Sequence, residues 1–141
     1  MRRLTILLLA AFLACPPYAL ACKMLSQFPE HLPPQNVKQY AHYFVVKIDG
    51  IRGETYRGTL QDALGPDQAV GQQVVIHFMA SEKAHAVCPL ILREGKTYLL
   101  RSQSPNPPLL ISRFDGYNIA MGHEKFSVYV NDLKDARRAN N

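Results

Sequence analysis

The chain is poor in the patterns that usually carry chemistry. No Gly-x-Ser-x-Gly elbow, phosphate-binding loop or other catalytic signature occurs, which predicts a protein that is not an enzyme. Its carboxylates, among them Glu54, Asp62, Asp67 and Glu94, fall in predicted turns and strand edges, where solvation accounts for them. His31, His42, His77, His85 and His123 are scattered without His-x-x-x-His or Glu-x-x-His spacing, so no metal and no cofactor is expected. His85 could share a zinc with Cys88 only if that thiol stayed reduced. No internal repeat is present. After the first 21 residues no apolar run is long enough to cross a bilayer.

One targeting feature stands out at the start. Met1-Arg2-Arg3 is followed by an apolar stretch from Leu4 to Ala14, a break at Pro16-Pro17, and Ala19-Leu20-Ala21. A positive start, a short apolar stretch and small residues at −3 and −1 describe a secretory signal peptide over residues 1–21. Cleavage after Ala21 leaves residues 22–141 as a single secreted or periplasmic domain. Arg2 and Arg3 leave with the signal, taking the formal charge from +5 to +3. So mild a charge predicts no nucleic-acid partner, which needs a dense basic patch.

Of the three cysteines, Cys15 departs with the signal, leaving Cys22 as the first residue and Cys88 in mid-chain. Two cysteines in an oxidising compartment predict one disulfide, Cys22–Cys88. Loop closure over that span would constrain the unfolded chain by about 4 kcal/mol. A competing route exists, because Ala19-Leu20-Ala21-Cys22 partly matches a lipobox, with alanine in place of leucine at −3. Acylation at Cys22 would anchor the protein to a membrane and leave Cys88 without a partner. Cysteine parity favours the disulfide.

Along the mature chain, residues 22–36 carry Pro29, Pro33 and Pro34 and read as an extended segment, with Asn36 capping a short helical turn through about Tyr40. Strands are predicted at Tyr43–Asp49, Thr55–Leu64, Gln73–Met79, Lys96–Arg101 and Leu109–Phe114. Tyr56, Gly58 and Leu60 share one face of the second, where Gly58 suggests a bulge or bend. The third is apolar on both faces and is expected to be central or covered on both. Glu94-Gly95 makes a tight turn before the fourth. Asp115 to Asn118 is a turn. Phe126, Val128 and Val130 alternate like a strand, while Asn131 to Arg138 reads as a polar helix whose Arg137-Arg138 end suits the macrodipole. Five short strands with short helical segments and no long helix predict a mainly β fold, a small five-stranded OB-like barrel; an open sandwich is permitted by the same pattern.

Here the chain resembles the netrin-like or TIMP-like family, the tissue inhibitors of metalloproteinases and their bacterial relatives. In that family a mature N-terminal cysteine pairs with one just before a Gly-Lys-x-Tyr-Leu strand. Cys22 would take the first role; Cys88, followed by Gly95-Lys96-Thr97-Tyr98-Leu99, would take the second. Phe44-Val45-Val46-Lys47-Ile48 looks like the family's opening strand. The resemblance spans roughly residues 22–118 and implies an OB barrel. Animal members carry Cys-x-Cys at the mature N-terminus and further disulfides, whereas this chain has Cys22-Lys23-Met24 and no third mature cysteine. The resemblance also implies that the Cys22 amino group and carbonyl could chelate a protease zinc. A free α-amine, with an ordinary pKa of about 7.7–8.0, is partly neutral near pH 7.

The expected function is therefore an exported, non-enzymatic binding module for a protein partner, with Cys22, Lys23 and Met24 as partner-binding residues. Alternatives are a metalloprotease inhibitor acting through Cys22, and a carbohydrate-binding or lipid-anchored envelope protein. Tyr43, Tyr56 and Tyr98 with Lys47, Arg57 and Arg101 could make a stacking, basic surface, but aromatics alternating along strands usually fill a core.

Overall fold

The strand Tyr43–Arg52 (β1) is the one around which the chain is wound in the computed structural model, which describes residues 28–80 and 89–141. Its run of β-branched and aromatic side chains suits an extended backbone. One edge pairs antiparallel with β2 (Thr55–Asp62), the other with β4 (Thr97–Arg101). β2 pairs antiparallel with β3 (Gln73–Phe78), which takes β5 (Leu109–Ile111) as a parallel neighbour. β6 (Ile119–Ala120) lies antiparallel on β4, giving the sheet order β5-β3-β2-β1-β4-β6. A bridge between Ser102 and Ile111, and the Gln103 N–H donated to the Leu110 carbonyl at 2.9 Å, bring β5 back to the end of β4. The sheet is thereby curled into the expected OB-like barrel of β1 to β5, partly open, with β6 as an unpredicted addition.

Curling needs irregular strands. Asp49 is an extra residue between the pairs Ile48–Gly58 and Gly50–Arg57, and Gln61 is another between Val45–Asp62 and Val46–Leu60. Each bulge increases local twist. Gly58 sits at the bend predicted for it: a Cβ there would lie 2.7 Å from the Lys47 carbonyl oxygen and against Val46 Cγ1. Only a residue without a side chain lets the two strands lean together.

β1 and β4 are apolar on both faces, because each face has its own cover. Phe44, Val46, Ile48, Tyr98 and Leu100 point into the barrel with Leu60, Ile76 and Ile111. Tyr43, Val45 and Leu99 face outward beneath a C-terminal helix. A short helix, α1 (Pro34–Val37), and a 3-10 turn (Tyr40–His42) lead into β1. Here the sequence expectation needs correction. The helix opens on Pro33-Pro34, since proline has its φ preset and needs no amide partner in a first turn. Asn36 is not a cap; it is buried inside the helix and donates Nδ2–H to the Tyr43 hydroxyl at 2.9 Å.

The second correction is at the C-terminus. Phe126–Ala139 is one continuous helix, α2, not a strand followed by a helix. Phe126, Tyr129, Val130 and Leu133, spaced i, i+3, i+4 and i+7, are its buried face and lie on β1, β4 and β6. Alternation of Phe126, Val128 and Val130 is a partial sampling of that stripe. The extended start of the described chain is strapped to the helix: Tyr129 donates its hydroxyl to the Pro29 carbonyl at 2.7 Å, and Asp132 accepts from the Leu32 N–H at 2.9 Å and contacts His31 at 3.0 Å.

Candidate groove beside β4

The predicted Gly95-Lys96-Thr97-Tyr98-Leu99 run organises a groove. Gly95 has φ +79°, a left-handed conformation that permits the tight turn. Its N–H is donated to the Ile48 carbonyl at 2.7 Å, and the Lys96 carbonyl accepts from the Ile48 N–H at 2.9 Å, so the turn is stitched to β1. Tyr98 is almost wholly buried, and its hydroxyl accepts from the Arg93 N–H at 3.0 Å and donates to the Ile91 carbonyl at 3.3 Å. That hydroxyl fixes residues 91–93 as one wall.

The opposite wall is a break in a strand. β5 and β6 both run antiparallel along the same edge of β4, Ile111 opposite Ser102 and Ile119 opposite Leu99. Three steps along β4 correspond to eight along the partner, so residues 112–118 leave the sheet as an excursion. Side chains close the gap. Asn118, buried, accepts the Arg101 N–H on Oδ1 at 2.7 Å and donates Nδ2–H to the Ser112 carbonyl at 3.1 Å. The buried Ser102 hydroxyl accepts the Leu110 N–H at 3.1 Å. Buried backbone groups that the ladder cannot pair are thus satisfied.

Between these walls is a cavity of about 690 Å³, within the usual range for ligand sites. Leu90, Ile91 and Tyr98 line one side, Ala120 and Met121 the other, and Phe28 and Pro89 also reach it. Ile91 is 65% exposed and Met121 63%, so two of the five large exposed hydrophobic side chains among the described residues meet here. Gly95, Gly116 and Gly122 keep the space open; a Cβ at Gly122 would meet nothing within 4 Å. Arg93, Lys96 and Arg113 are its cationic liners. The Arg113 guanidinium lies 3.9 Å from the Phe78 ring centroid.

Asp115 is the carboxylate among the described lining residues, and Arg101 engages it, Nε to Oδ2 at 2.6 Å. Burial works against the Arg101 charge, but the Asp115 carboxylate, with Tyr43 helping, more than compensates and holds it above its ordinary value. Tyr43 is buried against the same cluster, and desolvation raises its pKa despite the Asn36 hydrogen bond. The Arg101–Asp115 pair is a strut for the excursion.

Cys22, Lys23, Met24 and Cys88, the residues predicted from sequence, lie outside the described residues. Tyr43 and Tyr98 are buried and cannot belong to a stacking surface. Tyr56 is half-buried and set edge-on to Phe78, with centroids 5.3 Å apart. Beyond the part of the sheet that α2 covers, the outer face of β1 to β3 carries a polar ladder in which Thr59 bonds Asp49 and Gln73. The four described histidines are dispersed: His31 contacts Asp132, His42 the Ser102 carbonyl, and His123 the Phe28 ring, while His77 lies half-buried on β3. No group of three potential metal ligands occurs among the described residues. Nor among them is any helix long and apolar enough to cross a membrane.

Sequence reasoning missed the groove's second wall. Ile119-Ala120 is too short a run to announce a strand, and the only signal was Asn118 beside a turn. No protein-family model matches the chain, and no curated protein matches it significantly.

Proposed function

We propose that this chain is an exported, non-enzymatic binding module that engages a protein partner through the groove beside β4. The observation that carries the reading is the coincidence of an open cavity of about 690 Å³ with exposed Ile91 and Met121, on walls braced by part-buried hydrogen bonds. Contiguous exposed apolar surface rimmed by charge is typical of an interaction site. The experiment is a filling substitution. Gly122 has open space around it and a backbone that accepts a side chain, so Gly122→Phe should abolish partner binding while the unfolding midpoint stays at the wild-type value. Full binding by a folded Gly122→Phe protein would move the interaction off this groove.

Export by residues 1–21 and a Cys22–Cys88 disulfide belong to the same proposal. Phe28 and Pro89 line one groove, and a six-residue stretch spans up to about 20 Å, so a bond between the two cysteines is within reach of both ends. A second reading, implied by the resemblance to the TIMP-like family, is that a free Cys22 amino terminus chelates the zinc of a metalloprotease. Titration against zinc proteases with the terminus free and N-acetylated separates the two; equal potency excludes chelation. Intact mass with and without reduction tests the disulfide, and added acyl mass on Cys22 would replace it with an anchored lipoprotein.

A further inference from the structure

Among the described residues the charge of the groove walls is one-sided, and the groove's backbone is not fully occupied. Glu94, between Arg93 and Lys96 in sequence, does not offset them at the groove, because it lines a separate concavity with Arg52 and Arg57. Asp115, the lining carboxylate, is engaged by Arg101 at 2.6 Å. Arg93 and Lys96 have no ion pair among the described residues and stand beside the apolar floor. A second feature is a main-chain donor. Ala120 faces Tyr98, and Met121 donates its N–H to the Thr97 carbonyl, so alternation along the ladder turns the Ala120 N–H away from β4. Its carbonyl accepts from the His123 N–H at 2.9 Å, whereas its N–H has no partner among the described residues.

From this geometry we infer that the groove takes an extended, apolar segment of a protein partner that carries an acidic side chain. The apolar residues lie along Ile91 and Met121, the carboxylate is received by Arg93 and Lys96, and a main-chain carbonyl accepts the Ala120 N–H. A hydrocarbon tail would meet the apolar floor but along its length offers no acceptor to that amide. A basic segment would face like charges. The inference rests on the groove being the docking site, and it adds the chemistry of the occupant.

The test is selection of a displayed random heptapeptide library on the full mature protein, with Gly122→Phe and Arg93→Gln/Lys96→Gln proteins as counter-selections. Enrichment of Asp or Glu flanked by Leu, Ile, Phe or Met is expected on the wild type, with at least tenfold loss on Gly122→Phe. On the double variant the acidic preference should disappear while apolar binding persists. Equal enrichment on wild type and Gly122→Phe would overturn the groove itself. Apolar peptides without acid, lost on Gly122→Phe, would leave the groove standing and overturn the charge inference. Peptides reproducing Lys23-Met24-Leu25, which holds no carboxylate, would assign the groove to the chain's own N-terminal segment and also overturn it.

Discussion

Asn118→Ala is the substitution that most directly tests how the groove is built. Asn118 is 8% exposed, and its amide satisfies two backbone groups at once, the Arg101 N–H and the Ser112 carbonyl. Ladder geometry explains why the first has no other recourse. Ser102 donates its N–H to the His42 carbonyl, just before β1, so the neighbouring Arg101 N–H points the other way, into the gap where the strand is broken. Truncation to alanine strands both groups, each costing about 1–3 kcal/mol if water cannot reach it. Water from the groove relieves part of this, leaving an expected loss of about 2–3 kcal/mol, or a Tm lower by roughly 8–12 °C. Urea unfolding followed by far-UV circular dichroism measures it, with tyrosine fluorescence as a second probe because the chain has no tryptophan. Asn118→Asp sharpens the test. It keeps an acceptor for Arg101 but presents a carboxylate to the Ser112 carbonyl near Asp115, so it should be unstable at neutral pH and recover as acid protonates it. A stability for Asn118→Ala within about 0.5 kcal/mol of wild type, the range of ordinary surface changes, would refute the suture.

Three other perturbations probe the frame. Gly58→Ala should destabilise by about 1–3 kcal/mol, since its methyl meets the Lys47 carbonyl oxygen, a backbone atom that cannot step aside; an unchanged denaturation midpoint would show that β1 and β2 do not lean together. Leu133→Ala, at a fully buried position of α2, should cost about 2–5 kcal/mol, and hydrogen exchange should show α2 losing protection first. Tyr129 is pushed up to about 12 from an ordinary 10.0, mainly by burial, with Tyr117, Asp132 and Tyr43 adding to it. The folded state then keeps a proton that the unfolded chain has released. Stability should be fully present below about pH 10 and fall as pH rises through 12, and Tyr129→Phe should flatten that decline in melting scans; an equally steep profile would exclude Tyr129 as its source.

The barrel was legible because its strands carry period-two patterns bounded by glycine turns, and because Gly58 and Gly95 are needed where the backbone is crowded or left-handed. The apolar run of β1 was legible as a strand, but the two-faced pattern was read in the third strand, Gln73–Met79, and neither the two-sided burial of β1 nor the cover over its outer face was foreseen. That cover is α2, whose stripe includes Tyr129 and Leu133; a period-two reading of Phe126, Val128 and Val130 passes over both. Asn36 misled for a related reason. Asparagine favours helix starts through local bonding, but here its partner is Tyr43, a side chain reached through tertiary packing. The groove was half-visible: Gly95 to Leu99 was marked as important, while its facing wall depends on a five-residue mismatch of register that no local pattern encodes.

The broken strand has a consequence for how such a protein can diversify. Ile111 and Ile119 are each locked to β4, and Ser102, Asn118 and Asp115 settle the polar groups at the break. Of the intervening residues, Tyr117 packs against the cluster beneath α2, while Arg113 and Gly116 line the groove and are the exchangeable part of an insert mounted on a fixed frame, much as a hypervariable loop is mounted on a sandwich. Exchange at Arg113 and Gly116 would rewrite that wall of the groove without substituting a residue of the barrel interior. A scaffold of this kind separates the part of the chain that must be preserved from the part free to change its correspondent.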